Sequence, residues 1–156
     1  MDQQSCETVS ACQCNIGRGY VQVYTGDGKG KTTAAIGLAV RAVGAGLRVF
    51  IAQFVKSGRY SEIEALDCFE GQIVCRQYGL GCWLRGQPSD DDIRLAREGY
   101  QEVRKAIQSS EYQVVILDEA DIATWFKLFA VDDLLELIDL KPDGVELVFT
   151  GRRADP

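Results

Sequence analysis

The chain contains no histidine. That excludes imidazole as general base, as nucleophile and as metal ligand. Any chemistry must come from backbone dipoles, Lys, Arg, carboxylates, thiols or a bound cofactor. Positive charge is also in deficit: 17 Lys and Arg stand against 23 Asp and Glu, a net charge of −6. A surface of that sign does not draw in nucleic acid or anionic membranes. Neither is an expected partner, although a local basic pocket remains compatible with the total. No apolar run approaches the roughly 20 residues of a membrane span, and the polar opening carries no signal-peptide pattern. The expectation is a cytoplasmic protein with reduced thiols.

Six cysteines, at 6, 12, 14, 68, 75 and 82, fit that expectation. The chain is large enough not to need disulfide staples. Cys12-Gln13-Cys14 is one residue short of C-x-x-C and has no partner pair, which argues against a metal site. With 156 residues, 46% hydrophobic and 26% charged, one globular domain is expected.

Residues 1–18 lack periodicity and read as an N-terminal extension, with the domain over 19–156. From there strand and helix alternate. Tyr20 to Tyr24 is β-prone, and Thr32 to Val43 is an apolar helix closed by Gly44 and Gly46. Arg48 to Phe54 and Ile73 to Tyr78 read as strands around a short helix near Glu62 to Cys68. Gly79 to Pro88 is a glycine-rich loop. Ser89 caps a helix whose first turn is Asp90-Asp91-Asp92, and Ile93, Ala96, Tyr100, Val103 and Ile107 form its inner stripe. Val114 to Leu117 is a buried strand ending in Asp118-Glu119. Val131, Leu134, Leu135 and Ile138 mark the inner face of another helix, and Glu146 to Thr150 a last strand. This alternation predicts an α/β fold: a parallel sheet with helices on both faces.

The strongest chemical signal follows the first strand: Gly26-Asp27-Gly28-Lys29-Gly30-Lys31-Thr32, then Thr33. Glycines at 26, 28 and 30 allow successive N–H groups to turn inward on an anion, and the helix that follows adds its positive end. Lys31 can reach phosphate oxygens, and the Thr32 hydroxyl is suited to Mg²⁺. The pattern G-x-x-x-x-G-K-[ST] is met except at its first position, which is Thr25. An acid at the end of an apolar strand, here Asp118-Glu119, is the usual magnesium partner of such a loop. Glu119 is the expected ligand beside Thr32, with Asp118 as the alternative. ATP with Mg²⁺ is the expected occupant.

Four segments together resemble the P-loop ATP:corrinoid adenosyltransferases. They are Tyr24 to Ala35, Gln53-Phe54-Val55-Lys56, Ile116-Leu117-Asp118-Glu119, and Val148-Phe149-Thr150-Gly151-Arg152. The resemblance runs over about residues 19 to 153. It implies a recombinase-type P-loop fold and transfer of the 5′-deoxyadenosyl group from ATP to Co(I) of a corrinoid such as cobalamin, releasing triphosphate. It also implies Lys29, Arg41 and Arg152 as further phosphate contacts, although Arg41 reads equally as a surface charge at a helix end. Trp83 would be an apolar wedge that displaces the lower axial ligand of cobalt, or else an anchor for its loop. Trp125-Phe126 would wall the corrin or pack the next helix. A homodimer, a flavodoxin-type reductant and downstream corrinoid enzymes complete what the resemblance implies. Members usually continue past Thr-Gly-Arg into a further strand, so this chain is short at its C-terminus relative to them. Two rival readings are a P-loop ATPase of recombinase type and a nucleotide-dependent corrinoid carrier that does not turn over.

Overall fold

Apolar residues on every position of a short run demand cover on both sides, and the three central strands of this chain obtain it. The computed structural model describes residues 16–81, 84 and 86–156. It contains β1 (Val21–Thr25), α1 (Lys31–Gly44), β2 (Val49–Phe54), α2 (Ser61–Leu66), β3 (Ile73–Tyr78), α3 (Asp90–Gln108), β4 (Val114–Asp118), α4 (Ala120–Trp125), α5 (Val131–Leu140) and β5 (Glu146–Gly151). The five strands form one sheet in the order β1-β5-β4-β2-β3, and every pairing is parallel. The glycine-rich loop leaves β1 and the acidic pair ends β4, so the last strand of the chain lies between them. All five strands end on the same side, where an open parallel sheet binds its ligands.

Alternation along the strands splits the core into two layers. Val49 and Ile51 of β2, Val114 and Ile116 of β4 and Val148 of β5 face α1, whose Ala35, Ala39 and Ala42 are buried against them. Phe50, Phe54, Val115, Leu117, Leu147 and Phe149 face the other way, into Ala96, Tyr100, Val103 and Ile107 of α3. Small residues on α1 bring that helix close to the sheet, whereas the α3 layer is filled by large aromatics. Phe54 and Phe129 meet edge to face at 5.1 Å.

The capped start of α3 forms as expected: Asp92 N–H donates to Ser89 Oγ and Ser89 N–H donates to Asp92 Oδ2. Two expectations need correction. The inner stripe of α5 is Leu134, Leu137 and Ile138, all packed on the core, while Leu135 is 52% exposed. Helix α4 was not expected, because six residues directly after a strand carry no period long enough to read.

Candidate nucleotide and corrinoid site

The glycine-rich loop runs from the end of β1 to the first turn of α1. Gly26 and Gly30 take φ of 125° and 108°, which side-chain-bearing residues avoid. Gly28 has no such angle, but nothing lies within 4 Å of where its Cβ would be; that open side leaves room for a ligand. Lys31 Nζ donates to the carbonyls of Gly26 and Gly28 at 2.6 and 2.7 Å, drawing the loop into a ring around its own ammonium. Asp27, Lys29 and Thr33 are exposed at the rim.

Beneath the loop lies a polar network that interrupts the apolar α1 layer. Asp118 continues the parity of Val114 and Ile116 and so faces α1; it is 1% exposed. Its Oδ1 accepts from Thr32 Oγ1 at 2.8 Å and from Thr150 Oγ1 at 2.6 Å. Its Oδ2 accepts from Gln53 Nε2 at 3.0 Å and from Lys56 Nζ at 2.8 Å. Gln77 extends the chain by donating to Gln53 Oε1 at 2.9 Å. A buried carboxylate is tolerated only when satisfied in this way.

Sequence reading makes Thr32 and Glu119 joint magnesium ligands, with Asp118 as the alternative; Thr32 hydrogen-bonds Asp118, and Glu119 stands on the turn that follows β4. Glu119 sits at φ 60°, ψ 26° as the cap residue of α4, and its N–H donates to Thr150 Oγ1. Its side chain lines a cavity beside the strand end. Burial, then the neighbouring Asp118 charge, push the Glu119 carboxyl above its ordinary value, with Lys56, Lys31 and Arg152 opposing.

That cavity, about 520 Å³, opens beside the loop over the strand ends. Val55, Leu84, Ile122 and Phe126 supply apolar wall, and Lys56, Glu119 and Arg152 stand where the cavity meets the Asp118 network. Trp125 is 55% exposed on its rim, with the Arg153 guanidinium stacked 4.2 Å from its ring centroid. Phe126, by contrast, packs against the core.

Thus Lys31, Thr32 and the loop glycines form the cradle, and Lys56, Glu119 and Arg152 join it to the cavity. Arg41 is not brought there: it lies exposed in the last turn of α1, ten residues beyond Lys31 and roughly 15 Å along the axis. Trp83, Cys82 and the pair Cys12 and Cys14 lie outside the described residues. Sequence reasoning missed Thr150 and Gln77 as network members. A Thr at the end of β5, two residues before Arg152, was the available signal.

A five-stranded parallel sheet with a glycine-rich loop on its first strand and a buried acid on the strand beyond its neighbour defines a P-loop nucleotide-binding protein. Residues 17–156 match the model of the family described as ATP:corrinoid adenosyltransferase BtuR/CobO/CobP. The chain belongs to that family. It is 30% identical over 135 residues to the corrinoid adenosyltransferase of Escherichia coli K12, covering 86% of this chain and 68% of that protein. The Pseudomonas aeruginosa PAO1 corrinoid adenosyltransferase is 31% identical over 140 residues, 89% of this chain and 69% of that one. Corrinoid adenosyltransferase CobA of Salmonella typhimurium LT2 is 28% identical over 135 residues, 86% and 68% respectively. Among the described residues no helix is long and apolar enough to cross a membrane.

Proposed function

We propose that this site transfers the 5′-deoxyadenosyl group of ATP to the Co(I) centre of a corrinoid and releases triphosphate. The observation that carries the proposal is the junction of an anion cradle with a largely apolar cavity through three charged side chains, Lys56, Glu119 and Arg152. A triphosphate in the cradle would leave its ribose directed at that junction, and the reduced corrinoid would approach from the cavity side.

The chemistry asks little of side chains. Co(I) supplies the electron pair, a cobalt–carbon bond forms at C5′, the C5′–O bond breaks, and the pair of that bond leaves on triphosphate. Cobalt passes formally from +1 to +3. What the protein adds is alignment and neutralisation of the departing charge. Lys31, Lys29, Arg152 and the N–H groups of residues 26–33 are the assigned contacts. The donor set of Thr32 hydroxyl, buried Asp118 and half-buried Glu119 is oxygen throughout, as Mg²⁺ requires. These three residues would hold the ion directly or through water, and the ion supplies further charge neutralisation to the triphosphate. Trp83 keeps its assignment as a wedge at the cobalt lower face, on the resemblance. A homodimer, a flavodoxin-type reductant and corrinoid enzymes that take the product belong to the same proposal.

The test is to mix the protein with MgATP and chemically reduced cobalamin and follow the optical spectrum for the cobalt–carbon bond. Its appearance, lost in Lys31→Ala, supports the proposal. Stable binding of both substrates with no bond formed would establish the carrier reading instead. Trp83→Ala should slow the reaction far more when cobalt is reduced on the protein than when Co(I) is made beforehand; equal slowing would remove the wedge.

A further inference from the structure

The buried carboxylate at the centre of the network already carries a cation. Lys56 Nζ lies 2.8 Å from Asp118 Oδ2 and 3.3 Å from Thr32 Oγ1. It bridges the two side chains between which a metal below the loop would be held. Its backbone is fixed from two directions. Val55, the residue before it, takes φ 60°, a left-handed angle that a β-branched residue rarely adopts. Val55 N–H donates to the Tyr78 carbonyl, and Gly79 approaches so closely that a Cβ there would meet Lys56 N at 2.6 Å. An unusual turn held in place at a ligand site implies that the position of Lys56 matters to the site's work.

All four hydrogen bonds to Asp118 come from named donors, so a metal must displace one of them. Gln53 and Thr150 are sealed in at 1% and 0% exposure, and Thr32 is itself an expected metal ligand. The Lys56 side chain is 22% exposed and already lines the cavity. It is the donor free to leave.

We propose that Lys56 occupies the metal position in the nucleotide-free protein and yields it when Mg²⁺ arrives together with ATP. The released ammonium then turns to the phosphate charge at the cavity junction, beside Arg152. The buried carboxylate is never left unpaired, which would be strongly destabilising. Metal alone must expel the ammonium toward a cavity whose nearer acid, Glu119, is itself assigned to the ion, whereas metal with nucleotide brings it the phosphate charge as a new partner. Metal and nucleotide binding are therefore positively coupled, each tightening the other by the same factor. This inference rests on the proposed metal role of Thr32 and Asp118, and names the residue the metal competes with.

The experiment titrates the full chain with Mn²⁺, followed by its electron paramagnetic resonance, with and without a non-reacting ATP analogue. Wild type should bind Mn²⁺ alone weakly and with analogue tightly. Lys56→Met should bind Mn²⁺ alone about tenfold tighter or more and lose most of its dependence on the analogue. Lys56→Arg, which keeps the cation, should behave as wild type. On the wild-type protein, the ¹⁵N signal of the Lys56 ammonium should shift with Mg²⁺ plus analogue and stay in place with Mg²⁺ alone. Metal-alone affinity that is unchanged or weaker in Lys56→Met overturns the handover. So does a stationary Lys56 signal under MgATP analogue, which decides the matter if the Met variant does not fold. If wild type binds no Mn²⁺ even with analogue, the metal assignment itself fails and the handover with it.

Discussion

Gln53 and Phe54 are neighbours on β2 and almost equally sealed from water, at 1% and 0% exposure. One residue of strand pleat sends them to opposite faces of the sheet. Phe54 enters the aromatic layer under α3, against Tyr78 and Phe129. Gln53 enters the layer under α1, where it hydrogen-bonds Asp118 and Gln77. The two faces carry different duties at this end of the sheet. The α3 face continues as core to Phe54 on β2, Leu117 on β4 and Phe149 on β5, whereas the α1 face gives way to a site. Burial alone does not separate the two roles; the partners do.

The largest effect should follow Asp118→Ala. It strips Lys56 and three other donors of their common acceptor, and breaking a buried ion pair from one side costs about 3–5 kcal/mol. Urea unfolding should show that loss together with abolished Mg²⁺-dependent ATP binding in the folded fraction. Phe54→Ala should cost a similar ~3–5 kcal/mol as a cavity, yet leave MgATP affinity of the folded protein unaltered. If its nucleotide affinity falls as well, the two faces are not independent. Gln53→Ala should destabilise less, by about 1–3 kcal/mol for the unsatisfied groups it leaves, and still weaken MgATP binding through Asp118. Leu137→Ala and Leu135→Ala sharpen the same contrast on α5. The first should cost about 2–5 kcal/mol and the second within about 0.5 kcal/mol. Comparable midpoints for the two variants would contradict the assigned stripe.

The smallest effect compares two thiols. Cys75 lies on the α1 face of β3, where burial, then the charge of Asp118, push its thiol up to about 11. Cys68 is exposed. At pH 8 Cys75 is therefore protonated, and site-resolved mass spectrometry should find it alkylated much more slowly than Cys68. Equal rates would mean that the α1 face opens in solution.

Much of this contrast is legible in the chain. Continuous apolar runs locate the three central strands, because strands covered on both sides leave few polar positions to confuse them, and the edge strands β1 and β3 are legible from their β-prone residues. The loop glycines, Lys31, Thr32 and the acidic pair are legible because phosphate binding needs those residues at that spacing. Which acid faces Thr32 is not. It depends on strand parity and on the left-handed turn at Glu119, a conformation no composition rule assigns to glutamate. The same holds for Leu135, which fits a helical stripe on spacing, but the docking angle of α5 selects Leu137 instead. Lys56 belongs to a recognisable motif, but its bond to Asp118 joins residues 62 positions apart in the chain. Only the fold brings them together.

On the proposed function, the cradle holds a triphosphate that leaves whole when carbon is taken by cobalt. Phosphorus magnetic resonance of a complete reaction with MgATP and reduced cobalamin tests it most directly. The prediction is one inorganic triphosphate for each cobalt–carbon bond, with no stimulation by added DNA. Appearance of ADP or pyrophosphate as the stoichiometric product would contradict it and return the site to the ordinary P-loop ATPases.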